Sequence, residues 1–285
     1  MTRLTASLCL LPLALRADVV PELFSQHLDV APAPWSVTAT HQPDTRFGSN
    51  GEADLFELAG TFHAPLAEGV AWGVLDLDAA ARLTVIGSGS GIAALPDALL
   101  AARVEPKWTI RFLNGWSFRL GIAPGIWSDA LHPAFSCPVT PEFFFAADPE
   151  LSFVVGAEWR PGWDLAVMPH VGLAWEPDER LRVELGCPRS RIELFPRHVF
   201  SFFAGGEWRS VTYALHDDRD WKPDELTLEE ILVSAGASVR LFGTTRLTAE
   251  VGTWLERKMK ADVEERSSLD LSKETFLRFA FQAEF

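Results

Sequence analysis

The last ten residues, Phe276-Leu277-Arg278-Phe279-Ala280-Phe281-Gln282-Ala283-Glu284-Phe285, alternate without a break. Leu277, Phe279, Phe281, Ala283 and Phe285 fall on one side of a strand; Arg278, Ala280, Gln282 and Glu284 fall on the other. Such a segment has to lie between an apolar medium and a polar one. The same two-residue period runs through most of the chain, and this repetition limits the folds open to it.

Trp35 to Thr40 reads as a strand, and Phe56, Leu58, Gly60 and Phe62 alternate with Glu57, Ala59, Thr61 and His63. Val70–Leu77 and Arg82–Ile86 are shorter and less regular. Trp108, Ile110 and Phe112 oppose Thr109 and Arg111, and Asn114-Gly115 then supplies a tight hairpin turn. The return strand sets Trp116, Phe118, Leu120, Ile122 and Ile126 against Ser117, Arg119, Gly121 and Gly125. Comparable segments start at Leu151, Leu165, Leu181, Phe200, Ile231 and Leu247. Only Asp97–Val104 has the composition of a short helix. No window after residue 17 reaches the roughly 20 continuous apolar residues of a spanning helix. The strand lengths instead suit the roughly 9–11 residues of a tilted membrane strand.

Two regularities favour a membrane barrel. Counted back from Phe285, short connections (242–245, 196–198, 176–180, 147–149, 113–115) fall between others that include the long 256–273, 216–229, 127–138 and 87–98. This places long loops at one end and short turns at the other. Trp108, Trp116, Trp127, Trp159, Trp163, Trp175 and Trp254 stand near strand ends, where an interfacial girdle would lie. The closing strand resembles the C-terminal signature of bacterial outer-membrane β-barrels. The segments Trp116–Asp129, Gly156–Pro161, Pro169–Leu173 and Arg180–Pro188 resemble uncharacterised, porin-like members of that class. The resemblance implies an outer-membrane location, outer-membrane lipid around the barrel, and a final strand with Phe285 that seals the barrel and is read by the assembly machinery. It carries over no functional residues. The expected fold is all-β: an antiparallel up-and-down transmembrane β-barrel of about 12 strands, with 10–14 admitted.

Residues 1–17 read as an export signal, with Arg3, an apolar Leu4–Leu15 and a small residue at Ala17. Residues 18–34 read as an extended periplasmic lead-in, and 35–285 as a single barrel domain. Cys137 and Cys187 remain after processing, either paired or as separate thiols, and neither belongs to a metal-type spacing. The net charge of -14 removes nucleic acid from consideration as a partner.

The face opposite the large apolar residues carries Arg111, Arg119, Glu158, Arg160, Arg182, Glu184, Glu207, Arg209, Arg240, Glu250, Arg278 and Glu284. Each would cost about 2–4 kcal/mol in mid-bilayer, so in a membrane barrel this set faces the lumen. It either fills a closed structural barrel with Arg–Glu pairs or lines a narrow, slightly basic passage for a small polar or anionic solute. The negative excess then lies in loops such as His216–Asp220. No catalytic motif, metal site or cofactor fingerprint stands out. Gly89-Ser90-Gly91-Ile92-Ala93-Ala94 lacks the acidic residue and βα context of a nucleotide site. His170 is a lumen-side histidine that a lipid-modifying membrane enzyme could use. A secreted soluble β-barrel or sandwich, with the apolar face inside and a small ligand bound there, is the remaining alternative.

Overall fold

The computed structural model describes residues 35–46, 52–87, 96–112, 114–129, 134–215, 225–241, 245–261, 267–272 and 274–283. The expected signal, lead-in and acidic loop 216–220, together with Gly89–Ala94, Glu284 and Phe285, lie outside them. The described strands are β1 (Trp35–Arg46), β2 (Glu52–Val70), β3 (Gly73–Ile86), β4 (Ala98–Arg111), β5 (Trp116–Ile122), β6 (Gly125–Asp129), β7 (Phe135–Ser136), β8 (Val139–Ala146) and β9 (Leu151–Trp159). They continue with β10 (Val167–Asp178), β11 (Leu181–Cys187), β12 (Arg189–Arg197), β13 (Phe200–Ala214), β14 (Glu225–Arg240), β15 (Arg246–Ala261), β16 (Ser267–Asp270) and β17 (Thr275–Ala283).

All belong to one sheet that closes on itself, with β1 paired to both β2 and β17. Both β5 and β6 pair with β4, and both β16 and β17 pair with β15, so each couple is one interrupted wall strand. The couple β7 and β8 is another, facing β6 and β5. Ala123-Pro124 and Cys137-Pro138 mark two of these breaks; a proline has no N–H to give the ladder. Counted this way the wall has fourteen strands rather than about twelve. The additional hairpins turn without the usual Asn-Gly signal. Ala71 and Trp72 adopt positive φ (47° and 63°) between β2 and β3, and Pro188 alone separates β11 from β12. Asp97–Val104 is not a helix, since Ala98 to Ile110 pair along β3 from Val85 to Gly73.

Trp35 and Ala283 pair at what we term the near rim. Turns there are short (71–72, 112–115, 147–150, 179–180, 198–199), whereas the far rim carries 87–97 and 215–224. The side-chain faces are distributed as in β17, where Leu277 (51 %) and Phe279 (55 %) are exposed while Phe276 (0 %) and Arg278 (7 %) are buried. The same holds for Phe202, Val251 and Leu255 outside, with Glu193, Arg191 and Glu250 inside. A soluble barrel would place these faces the other way round. An apolar exterior around a charged interior is the polarity of a barrel surrounded by hydrocarbon.

At the far rim the wall recloses on a smaller circle. Beyond Pro188 the upper part of β13 has no β12 beside it, and β6 meets it through a parallel Ser128–Ala214 pairing. Strands β1, β2, β3, β4, β6, β13, β14, β15 and β16 then form a ring, completed by Ser272 N–H donating to Arg46 O at 3.0 Å. Its inside is dry. Leu55, Ile86, Leu99, Trp127, Tyr213, Leu226, Met259 and Leu271 pack there as one buried cluster.

Candidate functional site

Below this apolar plug the interior is polar. Arg119 lies 3.6 Å from Glu142, Arg160 donates from Nε to Glu158 at 2.8 Å, and Arg209 grips Glu207 at 2.8 and 3.2 Å. Arg182 reaches Glu184 at 3.6 Å and Glu176 at 2.5 Å, and Arg278 reaches Glu250 at 3.1 Å. Nine of these eleven residues, all but Glu142 and Glu176, belong to the charged face expected to line the lumen. Arg111 and Arg240 instead stand exposed at the near rim, where strand ends leave the hydrocarbon and charge is tolerated.

The structure adds residues that the sequence reading did not single out as lumen charges: Glu57, Arg82, Arg103, Glu105, Lys107, Glu142, Arg191, Glu193 and Arg246. Glu193, 1 % exposed, accepts from Ser201 Oγ at 2.5 Å and faces Arg191 at 3.1 Å and Arg246 at 3.6 Å. Some contacts join strands that are not neighbours in the wall. Glu57 on β2 meets Arg209 on β13 at 3.8 Å, and Arg103 on β4 meets Glu158 on β9 at 3.6 Å.

Five arginines also lie over aromatic rings: Arg119 on Phe144, Arg160 on Trp163, Arg191 on Phe203, Arg257 on Trp254 and Arg278 on Phe276, at 3.7–4.9 Å. Each therefore has a carboxylate partner for its charge and a ring for its face, an arrangement suited to a desolvated guanidinium. Two of the rings lie against wall glycines. Phe203 covers Gly236 and Phe276 covers Gly252, and a Cβ at either glycine would strike the ring. Gly236→Val is expected to cost about 1–3 kcal/mol by overpacking, read as a lower urea midpoint in vesicles; an unchanged midpoint would show that the Phe203 ring has room to move.

Of the tryptophans expected in a girdle, Trp116, Trp159 and Trp175 are exposed on the exterior. Trp108 lies half-buried there, its Nε1–H donating to Val70 O at 2.9 Å. Trp127 and Trp254 do not belong to a girdle. Trp127 is buried in the plug, stacked edge-on against Trp163 at 5.3 Å, and Trp254 is buried against Phe276 at 4.7 Å. Both share the inward side of their strands with charged or small residues.

The cavity beneath the plug measures about 350 Å³. Eight arginines and lysines line it, against six glutamates. The connection between β9 and β10 covers its far side. Arg160 donates to Ser210 O at 2.7 Å, Asp164 N–H donates to Thr212 Oγ1 at 3.3 Å, and Lys260 bonds Asp164 Oδ2 at 3.2 Å. His170 also lines the cavity, with Nδ1 2.8 Å from Glu142 Oε1 and Nε2 buried without a hydrogen-bond partner among the described residues.

Fold and site define a closed β-barrel with an apolar exterior and a charged interior covered on its far side. No family model and no curated protein matches the chain. Among solved structures it is similar to the NanC porin (11% identity, 88% of this chain and 100% of that chain, TM-score 0.40). It is also similar to the KdgM porin (10%, 88% and 99%, 0.36) and to a ΔS2 mutant of the TodX monoaromatic hydrocarbon channel (8%, 88% and 89%, 0.43).

Proposed function

We propose that the chain is an outer-membrane barrel of the narrow-pore transport type, held shut at its outer end. The observation that carries this reading is a charged cavity inside an apolar exterior, closed by a seam that the wall does not need. The fourteen-strand circuit is complete through β6–β7 and β12–β13, so the Ser128–Ala214 pairing is additional to it. Breaking that pairing and the Arg160–Ser210 and Asp164–Thr212 hydrogen bonds would free the far rim and leave the circuit intact. On this reading the near rim is periplasmic, outer-membrane lipid covers the exterior, and the closing strand with Phe285 is what the assembly machinery recognises.

The test is a reversible lock. Ser128→Cys with Ala214→Cys, in a background carrying Cys137→Ser and Cys187→Ser, should be silent in planar bilayers when oxidised and conduct after dithiothreitol. Silence in both states would favour a purely structural barrel, and conductance in both would remove the seam from the mechanism.

A further inference from the structure

We infer that the near rim between β12 and β15 binds the headgroup of an anionic phospholipid, with Arg197 and Arg240 holding the phosphate. The hairpins β12–β13 and β14–β15 adjoin there. Arg197 pairs with Phe200 across the first turn, and Arg240 N–H donates to Val199 O at 2.8 Å. Only β13 separates the two arginines, so their backbones stand roughly 10 Å apart, twice the spacing of neighbouring strands. Both are exposed, and two guanidiniums at that separation can meet the oxygens of one phosphate.

Charge sets this sector apart. No acid occurs from Leu194 to Gly206 or from Ile231 to Ala249. Among the described residues neither Arg197 nor Arg240 forms an ion pair, whereas Arg246, the cross-strand partner of Arg240, is engaged by Glu193 at 3.6 Å. Three of the four other near-rim hairpins carry acids: Glu68, Asp148 with Glu150, and Asp178 with Glu179. The last of these turns bounds the sector, since Phe195 N–H donates to Arg180 O at 2.8 Å. Depth is the second observation. Val199 (55 %) and Leu241 (47 %) are exposed beside the arginines, and Leu194, Phe200, Phe202 and Leu247 continue the apolar surface up the wall. An apolar surface that runs down to the turns puts the two guanidiniums at headgroup level. Each arginine there gains roughly fivefold for a lipid of net negative charge, whose acyl chains lie on the apolar stripe. A chain of net charge -14 would otherwise repel such a lipid.

The experiment is native mass spectrometry of the folded barrel in detergent, titrated with phosphatidylglycerol and with phosphatidylcholine of the same acyl chains. Phosphatidylcholine keeps the phosphate and the chains but cancels the net charge. The first phosphatidylglycerol is expected to bind at least roughly tenfold more tightly. Arg197→Gln combined with Arg240→Gln should cut that preference to about twofold or less, while Arg111→Gln, at the same rim outside the sector, should leave it unchanged. Excess glycerol 3-phosphate should not displace the lipid, because it lacks the chains. Equal binding of the two lipids, a double variant that keeps the preference, an equal loss in Arg111→Gln, or displacement by glycerol 3-phosphate would each overturn the assignment. Should the double variant fail to fold, the lipid comparison and the competition on the wild type decide alone. Lipid binding at this rim depends on neither conduction nor the seam, so the cysteine lock can succeed where this site fails.

Discussion

Replacing Glu193 with alanine is expected to lower the stability of the folded barrel by about 3–5 kcal/mol, because it removes the buried carboxylate that two arginines share. Glu193 is almost fully buried and is shared by Arg191, Arg246 and Ser201. Without its carboxylate Arg191 and Arg246 both lose the buried counter-ion that they share. Glu193→Gln keeps an acceptor for Ser201 and should lose clearly less. Urea unfolding from lipid vesicles measures both variants. A Glu193→Ala midpoint equivalent to less than about 1 kcal/mol would mean that water reaches these arginines freely and that the interior is not desolvated.

Val251→Arg is the complementary experiment on the outside. Val251 lies in the middle of the exposed apolar run Leu247–Leu255 of β15, between Ala235 and Leu277 on the adjoining strands. A cation there, at mid-membrane depth, should cost about 2–4 kcal/mol in a bilayer. The inward neighbour Glu250 already carries a charge at the same height through its pairing with Arg278. One residue along the strand therefore separates a position that needs charge from one that rejects it. If Val251→Arg unfolds at the wild-type midpoint in vesicles, the exterior is not in contact with lipid.

The closing strand shows how far the sequence could be read. Its alternation separates Arg278 from Phe279, and the structure buries the first and exposes the second. What alternation cannot express is which face points inward, because a period of two is the same in a soluble and a membrane barrel. The far end was harder for a different reason. Around Leu99, Val211, Tyr213 and Leu226 the interior itself becomes apolar, so both faces of a strand are hydrophobic and the period disappears. Ala98–Arg103 then resembles a helix, and Arg103, which contacts Glu158, is overlooked with it.

Glu142, Arg191 and Glu193 were missed because Val139–Ala146 and Arg189–Arg197 follow prolines that interrupt the ladder, and their residues were not assigned to faces. The two inward tryptophans teach something narrower. Trp254 shares parity with Glu250 and Gly252, and Trp127 with Arg119 and Gly125. Parity along the strand indicated the correct side for both, while proximity to a strand end pointed to the wrong one.

The seam at the far rim also has a consequence in time. Hairpins such as β8–β9 and β14–β15 close from neighbouring segments and can form early, when little chain entropy has to be lost. The Ser128–Ala214 contact joins strands from different halves of the chain, and it can form only once β4 has placed β6 and β14 has placed β13. The seam therefore follows the hairpins that bring its two sides together, while the closure of β1 on β17 joins residues still further apart in the chain. Undoing the seam reverses only that step and leaves the hairpins beside it paired.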